Sequence, residues 1–267
     1  MLLVATLYLY KMSKRDILKN IYLDTLEYSS TLHNKSELPD SIKLKLNPNQ
    51  IPNLNKKFTK TNIQVVNQDV IKTTIDLNIQ LKSNPNPNPD SILVLNLASK
   101  KNFGGGAING SMAQEEELFR KTDYGIHKGA ELYPLKLNEF VFTPSVSIVK
   151  DEFYNKINPN DVFQVDMLAM SGLYNPVLVD GKLTKSDYDL TYLKIENIFK
   201  YSIFKSKTNL ILGALGCGVF NNPPLEIIEM FNKCLEKYNG YFENIIFAVK
   251  STRDNNFELF NKYILRK

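Results

Sequence analysis

The sequence predicts an α/β protein whose mixed, largely parallel sheet is covered by helices on both faces. Apolar runs of strand length alternate with helical patterns along most of the chain. Two of those runs, Ile92 to Leu97 and Leu210 to Ala214, are nearly continuous, as in strands buried on both faces, and each ends in a glycine-rich turn. A chain of 267 residues, 43% hydrophobic and 23% charged, has enough apolar material for one sizeable core.

Taken in order, residues 1–12 form an N-terminal extension and 13–267 a single domain. Met1 to Tyr10 is apolar, but Lys11, Lys14 and Arg15 follow it rather than precede it, the wrong polarity for a signal peptide. It is also shorter than the roughly 20 residues a membrane span needs, so no stable membrane insertion is expected. An added strand, a disordered extension or an interfacial anchor remain open for it. Ser13 with Asp16, ahead of Ile17, Leu18, Ile21, Tyr22 and Leu26, reads as a capped amphipathic helix ending near Ser30. Residues 34–60 are rich in Asn, Lys and Pro without a sustained period and read as a surface excursion. A strand at Ile63 to Val66 and a helix from Val70 to Leu81 follow, until the prolines of Asn84 to Asp90 impose a loop.

Beyond the first glycine turn, a helix is expected from Met112 to Lys121 and strands at Glu139 to Phe142 and Val162 to Leu168. Asp187 to Phe204 reads as a long helix. Pro223 opens another after the second glycine turn, where its missing N–H does no harm, and that helix runs to about Tyr238. Asn244 to Val249 is a last core strand and Asn255 to Tyr263 a terminal helix. No internal repeat is visible.

Lys and Arg number 33 against 28 Asp and Glu, a net +5 that would draw a polyanion weakly and lacks the concentrated basic run of a nucleic-acid-binding domain, so direct DNA binding is not expected. Cys217 and Cys234 have no neighbours at metal-ligand spacing; they read as reduced thiols of a cytoplasmic or nuclear protein. His33 and His127 are the only histidines and lie far apart, which leaves no metal site to expect.

Chemistry concentrates in Asn102-Phe103-Gly104-Gly105-Gly106-Ala107-Ile108-Asn109-Gly110-Ser111-Met112-Ala113-Gln114-Glu115-Glu116-Glu117, at the C-terminal end of a buried strand, where open α/β sheets bind ligands. Three glycines let backbone approach a ligand and turn N–H groups toward an anion, or simply make a tight turn. Three successive glutamates at a helix start point about 100° apart, so one or two at most face a common pocket. By themselves they suit the helix dipole in a solvated first turn. Beside a backbone cradle, a partly desolvated carboxyl would have a raised pKa suited to protonating a leaving oxygen. The second loop, Gly213-Ala214-Leu215-Gly216-Cys217-Gly218-Val219-Phe220-Asn221-Asn222-Pro223, joins a strand to a helix in the manner of a phosphate loop. It matches neither the Walker nor the dinucleotide fingerprint. Cys217 within it reads as a small packed residue rather than a nucleophile.

Both loops together resemble the microbial poly(ADP-ribose) glycohydrolase family, whose hallmark of triple glycine, short spacer and Gln-Glu-Glu is complete here. Ile245 to Val249 resembles the family's final core strand. The resemblance implies a macrodomain-like three-layer α/β/α sandwich that releases ADP-ribose from poly(ADP-ribose) without cofactor or metal, acting as a monomer. It places the acid/base on Glu116 and a contact to a distal-ribose hydroxyl on Glu115, with Gln114 ordering the motif. Gly104, Gly105 and Gly106 would line the ribose and diphosphate; Gly216, Cys217, Gly218 and Val219 would give N–H groups to the phosphates, with Phe220 beside the ribose. Asp69 would meet the adenine amino group, and Asn102 either binds ribose or begins the turn. Asn102-Phe103 stands where Asn-Pro is frequent in bacterial relatives, and residues from about Tyr124 to Leu137 are placed to act as a lid. By the same resemblance Glu116 enters protonated, gives its proton to the leaving 2′-oxygen of an oxocarbenium-like cleavage and then activates water. Release of single ADP-ribose units from ADP-ribosylated protein, and non-catalytic ADP-ribose binding, are the rival readings.

Overall fold

The computed structural model describes residues 12–49, 55–84, 88, 91–251 and 254–265. Residues 1–11 of the expected extension, and most of the Asn84 to Asp90 loop, lie outside the described residues. Helix α1 (Lys14–Leu32) starts on a capping box, with Ser13 Oγ accepting from Asp16 N and the Asp16 carboxylate accepting from Ser13 N. There follow β1 (Ile42–Lys45), β2 (Asn62–Val66), α2 (Val70–Lys82), β3 (Ile92–Leu97), α3 (Gln114–Lys121), β4 (Glu139–Ile148) and β5 (Phe163–Met170). A small hairpin, β6 (Leu178–Val179) and β7 (Lys182–Leu183), precedes α4 (Lys185–Phe204), β8 (Asn209–Leu212), α5 (Pro224–Lys237), β9 (Asn244–Ala248) and α6 (Asn256–Tyr263).

Seven strands make the sheet in the order β1-β4-β5-β3-β8-β9-β2. β4 is antiparallel to both neighbours, and the remaining pairings are parallel. Because side chains alternate along a strand, β3 serves two cores. Leu93 and Leu95 face Ile195, Ile198 and Phe199 of α4 and Phe231 of α5. Ile92 and Val94 face Ile71 and Leu77 of α2 and Leu118 and Phe119 of α3. The layers are therefore helix, sheet, helix, with β3 near the middle and its C-terminal end carrying the first glycine loop.

Three elements differ from expectation. The excursion at 34–60 contains β1, whose Ile-Lys-Leu-Lys alternation spans only four residues; pairing with the edge of β4 makes it a strand, since three of its four residues are exposed. β4 runs past Pro144, because a bulge between Thr143 and Val146, with Ser145 at φ 55°, takes the proline out of the ladder. The β6–β7 hairpin turns on Asp180-Gly181, both at positive φ, a tight turn between strands too short to show periodicity. No helix among the described residues is long and apolar enough to cross a membrane.

Helix α1 braces the first glycine loop. Gly110 has φ 71°, and a side chain there would run into the carbonyl of Arg15. Farther along α1, Thr25 Oγ1 donates to the Arg120 carbonyl at the end of α3, 2.6 Å away. Gly110→Ala combines left-handed backbone strain with this overlap, so it should cost about 2 kcal/mol or more. Thermal melting of the variant would show a drop of several degrees, and an unchanged midpoint would refute the brace.

Candidate active site

The site forms where β3 leaves the sheet. Gln114 ties the start of α3 to that strand end, its Oε1 accepting from Leu97 N (2.9 Å) and its Nε2 donating to the Leu95 carbonyl (2.7 Å). With α3 docked this way, its three glutamates diverge. Glu115 points inward and is 2% exposed: Oε1 accepts from Asn96 Nδ2 (3.2 Å) and Oε2 from Ser99 N (2.6 Å). Glu116, 6% exposed, accepts from Ala113 N through Oε2 and reaches across to Gly106 N through Oε1, both at 2.9 Å. The first bond is a helix-capping contact that any glutamate here could make; the second binds the carboxylate to the glycine loop.

Glu117 faces away from this pair. Arg120 Nη2 (2.7 Å), Lys121 Nζ (2.8 Å) and the Tyr154 hydroxyl hold it. Burial would raise its pKa, but Lys121 and Arg120 outweigh burial and hold it at about 2. Glu115 goes the other way: burial pushes it up to about 8, against the hydrogen bonds from Ser99 and Asn96, and the adjacent Glu116 charge adds to the rise. The carboxyl of the cleft that burial raises is thus Glu115.

Each glycine of the triplet meets a different neighbour. A methyl group at Gly104 would lie 2.7 Å from the Phe119 ring, and at Gly106 it would strike the Ser111 hydroxyl. At Gly105 it would lie 2.5 Å from Glu116 Oε1 and 2.8 Å from Glu115 Oε2. The two carboxyl groups therefore flank one point above Gly105. Phe103, in the place of proline, anchors the loop from beneath, edge-on to Phe119 (4.8 Å) and Tyr124 (5.1 Å) and tilted on Tyr133 (5.8 Å). The segment expected as a lid is wedged under the loop at these two tyrosines, with Tyr124 fully buried. Asn102 begins the turn, its carbonyl accepting from Gly105 N, and its side chain is exposed.

In the second loop, Gly216 has φ 75° and Gly218 and Val219 are exposed, whereas Cys217 is a buried thiol whose pKa burial raises. Asn222, not singled out in the sequence, organises this loop by donating from Nδ2 to the carbonyls of Leu173 (2.7 Å) and Gly216 (3.0 Å). Phe220 stands edge-on to Tyr174, 5.3 Å between centroids. The two loops meet at their stems, where a methyl group on Gly213 would touch the Leu97 side chain.

Asp69, expected beside adenine, caps α2 through Ile71 N (2.9 Å) and is ion-paired with Lys121 (2.8 Å), so both its oxygens are engaged within the protein. His33 and His127, distant in sequence, converge on buried Asp123 at 3.5 and 3.3 Å. Among the described residues no group of three or more His, Cys, Asp or Glu is placed to hold a metal. Asn96, Ser99, Arg120 and Lys121 were missed in sequence because each works through α3 rather than through a motif of its own.

Sheet order and paired loops define a macrodomain-like α/β protein with two carboxyl groups at its glycine loop. Residues 21–151 match the family model described as the catalytic domain of microbial-type PARG. Its fold is similar to that of poly(ADP-ribose) glycohydrolase from Thermomonospora curvata, with TM-score 0.72 and 18% identity over 93% of this chain and 100% of that one. The same enzyme bound to the inhibitor ADP-HPD matches at TM-score 0.72 and 19% identity, over 92% and 98%. The Deinococcus radiodurans glycohydrolase in complex with ADP-ribose matches at 0.64 and 23%, over 76% and 84%. None of the curated proteins matches the chain.

Two outcomes follow from the opposed carboxyls. Glu117→Gln leaves the buried Arg120 and Lys121 without this anion, and should cost about 3 kcal/mol at neutral pH by chemical denaturation; a loss under 1 kcal/mol would show the cluster to be dispensable. Glu115, with its folded pKa raised from 4.5 to about 8, binds more protons folded than unfolded between those values, so its contribution to stability falls as pH rises through that window. Relative to Glu115→Gln, the wild type should lose stability between about pH 4.5 and 8, and parallel stability curves would disprove a neutral Glu115.

Proposed function

We propose that this chain hydrolyses the ribose–ribose glycosidic bonds of poly(ADP-ribose), releasing ADP-ribose, with Glu116 as the acid/base. The observation that carries the assignment is the carboxyl pair at Gly105: Glu116 is the more accessible member and is bonded to the glycine loop, and Glu115 beneath it is neutral near pH 7. Glu115 then donates to a hydroxyl of the distal ribose and keeps its proton throughout, and Glu116 enters with a proton of its own. Glu116 delivers a proton to the leaving 2′-oxygen as the glycosidic bond breaks, and its carboxylate takes a proton from the water that attacks the anomeric carbon.

Gly104, Gly105 and Gly106 bring the loop close to the ribose and diphosphate, and the N–H groups of Gly216, Cys217, Gly218 and Val219 face the phosphates, with Phe220 beside the ribose. Gln114 holds the motif in register and Asn102 starts the turn; Asp69 serves α2 and Lys121. Residues 13–267 act as one catalytic unit, working as a monomer without DNA. The chain works inside the cell, in keeping with two buried free cysteines.

Glu116→Gln should bind ADP-ribose within about threefold of wild type and release it from the polymer roughly 100-fold more slowly or worse. ADP-ribose release and ADP-ribose titration, run on both proteins, decide this: near-normal turnover in the variant removes Glu116 from the chemistry. Binding without any release, even by the wild type, would instead identify a reader.

A further inference from the structure

Five lysines are buried in the described structure: Lys121, Lys150, Lys194, Lys200 and Lys207. Taking an ammonium out of water costs several kcal/mol unless an anion meets it. Four of the five are met: Lys121 by Asp69 and Glu117, each at 2.8 Å, Lys150 by Asp24 at 2.6 Å, Lys200 by Glu196 at 2.7 Å and Lys207 by Asp166 at 2.7 Å. Lys194 is different. It is 1% exposed on α4 and, among the described residues, has neither a carboxylate nor a hydrogen-bond acceptor. The charge it feels is a second cation, Lys100.

Lys100 lies in the turn between β3 and the glycine loop, its carbonyl accepting from Leu135 N at 2.8 Å. One turn before Lys194, on the same side of α4, Thr191 is fully buried and its hydroxyl has no partner among the described residues. The Lys194 amine and the Thr191 hydroxyl, one turn apart on α4, are thus both buried without an acceptor among the described residues. Burial lowers the Lys194 amine to about 8, with Lys100 adding to the drop.

We propose that Lys194, Lys100 and Thr191 form a phosphoryl-binding site beside the glycine loop, separate from the Gly216 to Phe220 loop. Two ammonium groups and a hydroxyl fit an anion with several acceptor oxygens and about two negative charges, which free phosphate or a diphosphate supplies and a single carboxylate does not. The group comes from free phosphate or, resting on the glycohydrolase reading, from the diphosphate of the polymer unit next to the one released.

The test uses the full chain and two variants, Lys194→Met, which keeps the side-chain volume, and Lys100→Ala, which changes a half-buried residue. Thermal midpoints are followed against inorganic phosphate, with chloride holding ionic strength constant. Phosphate is expected to raise the wild-type midpoint, with apparent affinity at least tenfold weaker in both variants; any residual response belongs to the second loop, common to all three. Equal responses in the three proteins, or none in the wild type, would overturn the site. A second arm measures polymer cleavage by Lys194→Met: KM raised severalfold with kcat within twofold assigns the polymer's diphosphate, and an unchanged KM assigns free phosphate. Absence of polymer cleavage by the wild type would count against the glycohydrolase reading alone, since the phosphate arm stands without it.

Discussion

Everything at this site depends on how one short helix is docked. α3 is eight residues long and has three carboxylates in its first turn, which would repel one another if all faced the same way. Docking resolves the conflict by direction. Gln114 takes two backbone groups of β3, setting the helix rotation, and the 100° step then sends Glu115 inward, Glu116 toward the loop and Glu117 to the back. The back is where Arg120 and Lys121 lie, so the charge that the site does not need is neutralised one turn along the same helix.

The glycine loop answers to the same helix. Its three glycines are not interchangeable sources of flexibility: Gly104 clears Phe119, Gly105 clears both carboxyls and Gly106 clears Ser111. The loop is a fitted part, closed from below by Phe103 on Phe119 and Tyr124 and from outside by α1 at Gly110. A proline at position 103 would stiffen the turn through its ring; phenylalanine reaches the same end by burying an aromatic face. The substitution alters how the loop is held and leaves the carboxyl pair where it is.

The sheet's core strands and most of the helices were legible because apolar runs and periodic helices record burial directly: Ile92 to Leu97 and Asn244 to Val249 have nowhere else to go. What escaped was decided by partners. β1 needed the edge of β4, and the passage of β4 through Pro144 needed a bulge that a breaker residue conceals. At the site, the motif and its order were readable, but the engagement of Asp69 with Lys121, 52 residues away, was not, because capping and ion pairing across the fold leave no periodic trace. Which carboxyl of the pair burial raises was not readable from the motif for the same reason. It depends on which glutamate turns toward Asn96 and Ser99, and this follows from the docking of Gln114.

The inward turn of Glu115 bears on the chemistry. An acid that gives up a proton and takes one back works best when neither form is strongly favoured, and a deeply buried carboxyl such as Glu115 favours its neutral form throughout the neutral range. Glu116 is placed differently: its two oxygens accept from the backbone N–H groups of Gly106 and Ala113, at the edge of the glycine loop. Desolvating two adjacent carboxyls works against folding, and the fold answers with a sheet covered on both faces, whose strength near β3 comes from Leu93, Leu95, Ile92 and Val94 rather than from the polar groups it displays. The site is therefore built on apolar burial, at the C-terminal end of a strand packed on both faces.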